Sequence, residues 1–220
     1  MAGRTLPHRQ CNIGVPTLSW GRLGARVTGV DFAAQAIAIA RDLATDVAPS
    51  ARFVEADVYD LPDRLDGVFH IGHTSHGVPG WLPDLRRWAE IAAHLVAPGR
   101  FLHLWEAHPA AWTVDNAVEE HVLRSAYAYF GQTAPLWFEY RSRQAAPAAE
   151  LRSVECSWEH TLGDAGLRID PLHEWPFADR RMLPFLREGA DGRWHLPDGP
   201  ALLPVVVPAA CDQTDHVRSS

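Results

Sequence analysis

Two aspartates, Asp31 and Asp57, each follow a run of residues with the composition of a buried β-strand, residues 26–30 and 52–56. Ligands of an open parallel sheet bind beyond the carboxyl ends of its strands, so both carboxylates are expected beside one crevice. The Asp31 carboxylate can accept hydrogen bonds from both hydroxyls of a ribose, and the Asp57 carboxylate can accept one from an adenine amino group. A plainer interpretation stays open, in which Asp31 caps the next helix and Asp57 is a turn residue.

Histidines are the second group with chemical potential, because imidazole is the commonest general base near neutral pH. Of the twelve in the chain, His73, His76 and His108 are predicted to lie just past the ends of two later strands, on the crevice side. His73 and His76 have the spacing of two metal ligands on one loop, and His103 could be considered with them. Because this pair lacks a convincing third ligand, no metal is predicted.

The elements that must position these side chains alternate between strand-like runs and helical segments, a pattern typical of βαβ units. Strands are predicted at 26–31, 52–56, 67–71 and 100–105, and helices at 34–47 and from Pro83 onward with Pro83 in the first turn. Further on, the patterns indicate a helix at 114–130, a polar loop at 144–149, and closing strands, an antiparallel pair, at 167–172 and 202–207. The sequence therefore predicts an α/β fold with a doubly wound, mostly parallel sheet and an antiparallel closing strand.

Composition narrows the function further. The 220 residues carry a net charge of −7, which does not favour a nucleic-acid or anionic-membrane surface. All twenty basic residues are Arg, which excludes a Schiff-base lysine and a P-loop lysine within this sequence. Three widely separated cysteines do not indicate a disulfide framework. Neither a signal peptide nor a membrane span is recognisable, so a cytoplasmic location is expected, whereas the oligomeric state is left open.

Five motifs follow one another in register. The turn at 10–14 reads QCNIG, residues 18–32 end in VTGVDF, and residues 56–62 read ADVYDLP. Thr74-Ser75 with GWLPDL at 80–85, and then LVAPGRF at 95–101, complete the series. Over residues 10–109, and more weakly over 158–208, the chain resembles the class I S-adenosylmethionine-dependent methyltransferases. The resemblance implies a Rossmann-like fold, S-adenosylmethionine as cofactor and methyl transfer to a small-molecule acceptor.

The resemblance also assigns roles to the nucleoside side of the crevice. Asp31 is expected to hold the ribose, and Phe32 to pack beside the adenine. Asp57 and Val58 are expected to read the adenine edge.

The turn between the first strand and helix is expected to approach the rest of the cofactor through Gln10, Cys11 and Gly14. Only Gly14 remains of the family's G-x-G-x-G pattern. Thr74 and Ser75 would form the floor beneath the sulfonium.

Acceptor-side roles follow from the same resemblance. Some acceptors must lose a proton during attack, and these need a general base. His108 is the first candidate for that base, and His76 is the second. Trp81 and Trp112 are candidates for the acceptor pocket, whereas Trp88 has the helical spacing of a core residue. A single domain over 1–220 is predicted, with its best-matched core at 10–109, a variable acceptor-side region at 110–157 and closing strands at 158–208.

Two departures from the family pattern favour an alternative. The first strand would be residues 5–10, which are polar and contain Pro7, a residue that central strands rarely tolerate. The helix that relatives carry upstream of this strand has no counterpart here, as if the N-terminus were truncated. Residues 158–164 run almost directly into 165–170, which suggests a deleted helix. The alternative is a methyltransferase-fold protein that binds a ligand or steers a natural-product cyclisation. A nicotinamide-dependent oxidoreductase is disfavoured by the missing G-x-G-x-x-G turn, and a nucleic-acid methyltransferase by the acidic charge.

Overall fold

A computed structural model describes residues 1–75, 77–107, 113, 136–140, 148–152, 158–173, 175–179, 181, 186–196 and 206–213. Its helices are α1 (Val15–Arg22), α2 (Ala34–Val47), α3 (Leu61–Arg64), α4 (Leu85–His94) and α5 (Trp158–Asp164). Its longer strands are β1 (Thr5–Arg9), β2 (Arg26–Asp31), β3 (Arg52–Glu55), β4 (Phe69–Ser75), β5 (Val96–Ala107), β6 (Leu136–Tyr140), β7 (Ala148–Arg152), β8 (Leu167–Leu172) and β12 (Val206–Gln213). Three two-residue strands complete the set, β9 (Phe177–Ala178), β10 (Arg187–Glu188) and β11 (Trp194–His195).

Seven strands form the main sheet in the order β3-β2-β1-β4-β5-β12-β8. The first five are parallel to one another, and β12 is antiparallel to both β5 and β8. Two small antiparallel sheets, β10-β11-β9 and β6-β7, lie outside it. The prediction of an α/β, mostly parallel sheet closed by an antiparallel strand is therefore confirmed.

Strand β1 forms at the centre of this sheet in spite of Pro7. Its ladder with β2 covers all five residues, whereas its ladder with β4 covers only His8 and Arg9. Thr5 donates its N–H to Nδ1 of His70 on β4. Because the N–H groups of a strand point to alternate sides, the backbone nitrogen of Pro7 also faces β4 rather than β2. The proline therefore stands where the ladder with β4 is already interrupted, and the expectation that it would disrupt the strand was wrong.

Most predicted elements lie where the sequence pattern put them. Helix α2 and strands β2 and β8 have the predicted bounds, and β3 ends one residue early. The predicted first turn of α4 was wrong, because Asp84 is the N-cap and accepts the Arg87 N–H at 2.9 Å, which leaves Pro83 outside the helix. Residues 148–149 are part of β7 rather than of a loop, and the helix predicted at 114–130 lies outside the described residues.

The larger core cluster lies between the sheet and helices α4 and α5. The helix α4 stripe that the sequence predicts is buried, with Trp88 fully inaccessible, and Leu162 of α5 packs into the same cluster. Because β8 is parallel to β5, its crossover spans residues 108–166, and α5 is only the last part of that connection. The short spacing between α5 and β8 therefore needs no deletion to explain it.

None of the helices among the described residues has the length and hydropathy that a bilayer crossing requires.

Candidate cofactor site

A cavity of about 510 Å³ opens beyond the carboxyl ends of β1, β2 and β4. This is the edge at which parallel α/β sheets bind their ligands. Four short segments supply its wall: the β1–α1 turn with the start of α1, the end of β2, the first turn of α2, and the loop after β4. The lining residues are Gln10, Cys11, Asn12, Ile13, Val15, Pro16, Asp31, Phe32, Ala33, Ala36, Ser75, Gly77, Val78 and Trp81.

The β1–α1 turn adopts a left-handed backbone at every second residue. The φ angles are 53° at Gln10, 50° at Asn12 and 77° at Gly14. Glycine adopts such angles freely and asparagine tolerates them, whereas glutamine does so at a cost of about 1–2 kcal/mol. The turn therefore keeps a conformation suited to glycines although only Gly14 is one, which the sequence pattern did not predict.

Gly14 is not among the residues that line the cavity. A Cβ at this position would lie 2.6 Å from Cε1 of Phe53, a core residue of β3. The glycine thus lets α1 pack against the sheet, and this contact is a packing reason for a residue that the resemblance assigned to the cofactor.

Asp31 ends β2 at the cavity and is held from both sides by the backbone. Its Oδ2 accepts the Asn12 N–H at 2.8 Å, and its Oδ1 accepts the Ala33 N–H at 3.0 Å. The side chain lines the cavity, and the N-cap of α2 is Ala33 rather than Asp31. Each carboxylate oxygen can accept a second hydrogen bond, so a fixed acceptor pair remains available to two hydroxyls.

Large apolar side chains surround the mouth of the cavity. Phe32 is 73% exposed, and Ile13, Val15 and Trp81 are also exposed while lining the same space. These side chains could pack against a planar apolar group of a ligand. Such a contact is favourable because it removes apolar surface of both the protein and the ligand from water. Trp81 thus lies at the cavity, whereas Trp112 lies outside the described residues.

Asp57 and Val58 lie near this edge of the sheet but do not line the cavity. Asp57 follows β3, which pairs with β2 in parallel, and its side chain is exposed. Its Oδ1 accepts the Tyr59 N–H at 2.9 Å, so it also caps a single turn at Val58–Asp60. Val58 is buried in the larger core cluster.

The two residues assigned to the floor differ in their surroundings. Thr74 is fully buried and its Oγ1 accepts from Nε of Arg9 at 3.3 Å, so it is not exposed to the cavity. Ser75 lines the cavity, and its Oγ lies 2.9 Å from Nε2 of the buried His8. Nδ1 of His8 lies 2.7 Å from Oγ1 of Thr17, which joins β1, β4 and α1 through one imidazole.

His8 is not among the site residues predicted from the sequence. The available signal was a histidine inside a predicted central strand, a position where a polar side chain needs partners.

His73 lies within β4 rather than beyond its end, which corrects the sequence prediction. It is buried, with Nδ1 3.0 Å from Nδ1 of His103. Burial, together with the neighbouring His8 and His103, lowers the pKa of His73 to about 2. Burial also lowers the pKa of His103. His73 is therefore neutral at pH 7 and is not available as a cationic acid.

Cys11 lines the cavity as a protonated thiol. Burial, reinforced by the charge of Asp31, raises its pKa to about 12. A thiol in that state is a poor nucleophile and metal ligand. Among the described residues, no group of three or more His, Cys, Asp or Glu side chains has an arrangement suited to a metal ion. Both predicted bases, His108 and His76, lie outside the described residues.

Similarity to known proteins agrees with this geometry. Residues 10–99 match the family model described as a methyltransferase domain. The chain is 27% identical over 179 residues to a ubiquinone biosynthesis O-methyltransferase of Albidiferax ferrireducens, covering 78% of this chain and 66% of that protein. It is 28% identical over 116 residues to the protein of that name from Erwinia tasmaniensis, covering 52% and 47%. The chain thus spans less than two thirds of the length of either relative.

A solved structure of an S-adenosylmethionine-dependent methyltransferase from Methanosarcina mazei superposes with a TM-score of 0.64. It is 16% identical in sequence, and the match covers 98% of this chain and 95% of that one. This likeness establishes the shared fold. The family model thus matches a methyltransferase domain at residues 10–99, and the chain as a whole has the fold of that S-adenosylmethionine-dependent methyltransferase.

Proposed function

We propose that this protein binds S-adenosylmethionine in the cavity beyond β1, β2 and β4 and transfers its methyl group to a small-molecule acceptor. The observation that carries the proposal is Asp31, a carboxylate fixed by two backbone N–H groups at the end of β2 with one acceptor site free on each oxygen. Vicinal hydroxyls of a ribose match such a pair.

Other cavity residues fit the same ligand. Oε1 of Gln10 is buried and has no hydrogen-bond partner among the described residues, so it could accept from a donor group of the cofactor. Phe32 is exposed beside Asp31 and offers a face for an adenine. Cys11 and Gly14 would serve the site through the shape of the turn.

Asp57 and Val58 are proposed to recognise the adenine edge. The end of β3 is next to the end of β2 in the sheet, so a nucleoside held by Asp31 would extend toward Asp57. Oδ1 of the exposed Asp57 carboxylate accepts the Tyr59 N–H, and its Oδ2 could accept a hydrogen bond from an adenine amino group. Thr74 would support the floor from beneath through its contact with Arg9.

S-adenosylmethionine supplies an electrophilic methyl group when bound, so the protein contributes chiefly orientation and exclusion of water. Ser75 is proposed to contact the reacting region from the floor. Trp81 and Trp112 are proposed to hold an aromatic or heterocyclic acceptor. Where that acceptor must lose a proton, His108 is the first proposed base and His76 the second. An oxygen acceptor is the first class to test, because the two relatives above are named as O-methyltransferases.

Isothermal titration calorimetry with S-adenosylhomocysteine tests the proposal. Asp31→Asn should weaken binding tenfold or more, roughly the value of a charge-assisted hydrogen bond, because an amide presents a donor where both hydroxyls need an acceptor. Asp42→Asn, on the exposed face of α2, is the matched control and should bind as the wild type does.

Undetectable binding by the folded wild-type protein would contradict the proposed function. Equal affinities for wild type and Asp31→Asn would contradict the role of Asp31 while leaving another cofactor geometry open.

A further inference from the structure

Glu106 is a buried carboxylate near the end of β5, with 3% of its surface exposed. It contacts the loop that follows β4, 28 and 29 residues earlier in the chain. The Gly77 N–H lies 2.7 Å from Oε1 and 2.8 Å from Oε2, and the Val78 N–H donates to Oε2 at 2.9 Å. One side chain thus receives two consecutive backbone N–H groups.

The local backbone explains why these two N–H groups converge. Gly77 has a left-handed φ of 83°, and Val78 follows in the right-handed helical region, with φ −74° and ψ −52°. Successive N–H groups in such a pair of conformations form a concave anion site. In this protein the anion is the carboxylate of Glu106.

The same loop is one wall of the cavity. Ser75, Gly77, Val78 and Trp81 all line it, and the Glu106 carboxylate holds the middle of that segment. The two proposed bases are close in sequence to this contact, since His76 directly precedes Gly77 and His108 follows Glu106 by two residues.

We propose that Glu106 is a positioning residue for the cofactor cavity, which acts by holding the loop after β4 in its binding conformation. The proposal rests on the proposed function, because it assigns this loop to the wall against which the cofactor lies. A carboxylate suits the role because it has only acceptor sites, and it gives shorter and stronger hydrogen bonds to N–H groups than a neutral acceptor does.

Glu106→Gln tests the proposal, because the amide keeps the size but turns one acceptor into a donor that faces a backbone N–H. We expect the amides of Gly77 and Val78 to exchange with solvent about tenfold faster, while the amides of β4 are unchanged. Affinity for S-adenosylhomocysteine should fall about tenfold at a temperature well below the melting point. Glu106→Asp keeps the charge and should restore part of both quantities.

Glu90→Gln on α4 is the matched control, since that side chain is exposed and, within the described part of the chain, pairs with Arg86 of its own helix. It should change neither exchange nor affinity. If Glu106→Gln does not fold, the comparison is made between wild type and Glu106→Asp, for which a partial loss of both quantities is expected.

Faster exchange in Glu106→Gln with unchanged affinity would overturn the positioning role and leave a purely structural contact. Weaker binding with unchanged exchange at Gly77 and Val78 would overturn the loop mechanism. Absence of cofactor binding by the wild type would refute the proposed function itself, and the exchange comparison would still decide whether Glu106 holds the loop.

Discussion

Replacing Arg9 with methionine should stabilise this protein. The Arg9 side chain on β1 is fully buried, and its Nε donates a hydrogen bond to Oγ1 of Thr74. Its Nη1 and Nη2 have no hydrogen-bond partner among the described residues. Burial lowers the pKa of Arg9 from 12.5 to about 10. The charged form is therefore disfavoured in the folded state. That cost is fully present below pH 10 and is relieved only as pH rises from about 10 toward 12.5.

The magnitude follows from the size of the shift. At about 1.4 kcal/mol per pKa unit, holding the charge costs the folded state about 3 kcal/mol at pH 7. Arg9→Met removes this cost but loses the hydrogen bond to Thr74, about 1 kcal/mol. It also loses a cation–π contact with Trp88, 5.8 Å from the ring centroid, about 0.5–1 kcal/mol. Because methionine fills irregular apolar space well, we expect a net gain of about 1–2 kcal/mol.

Urea denaturation at pH 7 measures this difference, and the melting temperature should rise by about 3–6 °C. Arg26→Met is the matched control, since Arg26 is exposed at the start of the neighbouring strand β2, and its effect should stay within about 0.5 kcal/mol. A loss of more than about 1 kcal/mol in Arg9→Met, with Arg26→Met unchanged, would refute the reasoning and indicate that the guanidinium is compensated in the folded protein.

Three further predictions concern the cavity region. Gly14→Ala should cost about 2–4 kcal/mol of unfolding free energy, because its Cβ would meet Phe53 at 2.6 Å in a left-handed backbone; a cost below about 1 kcal/mol in urea titration would contradict that packing. Gln10→Gly should instead stabilise by about 0.5 kcal/mol, since relief of its φ of 53° exceeds the added chain entropy, and a loss of stability in the same titration would argue against strain there. The pKa of His73 is about 2 in the folded protein and 6.5 in the unfolded chain. As pH falls below 6.5, the unfolded chain binds a proton that the folded protein does not, so the folded state loses stability. Between pH 7 and 5 this amounts to about 2 kcal/mol, and a His73→Asn variant with the same pH slope as wild type would disprove it.

Local patterns were sufficient for much of the fold. Apolar residues at helical spacing determined α2 and the buried face of α4, and runs of β-branched residues followed by Asp31 determined β2. The order of the motifs predicted which strand ends face a common crevice. Of the residues predicted for the cofactor, Gln10, Cys11, Asp31, Phe32 and Ser75 line the cavity, and so does Trp81, which was predicted for the acceptor.

Strands β1 and β4 were harder to predict because their polar residues resemble loop composition. Strand β4 runs four residues past its predicted end, through His73 and Ser75, and β1 contains Pro7 and His8. These residues become acceptable in a central sheet only when partners from other strands satisfy them, as His8 does between Ser75 and Thr17.

The sequence by itself determined the strand–helix alternation and the chemical types at the strand ends, because both depend on neighbouring residues along the chain. Only the tertiary structure decided which of those groups face a common space. Asp31 reaches the cavity while Asp57 caps its own turn, Gly14 makes room for Phe53, and Glu106 holds a loop 28 residues away. Such roles depend on contacts between distant segments, and a hydrogen bond or a steric limit exists only once folding brings its two partners together.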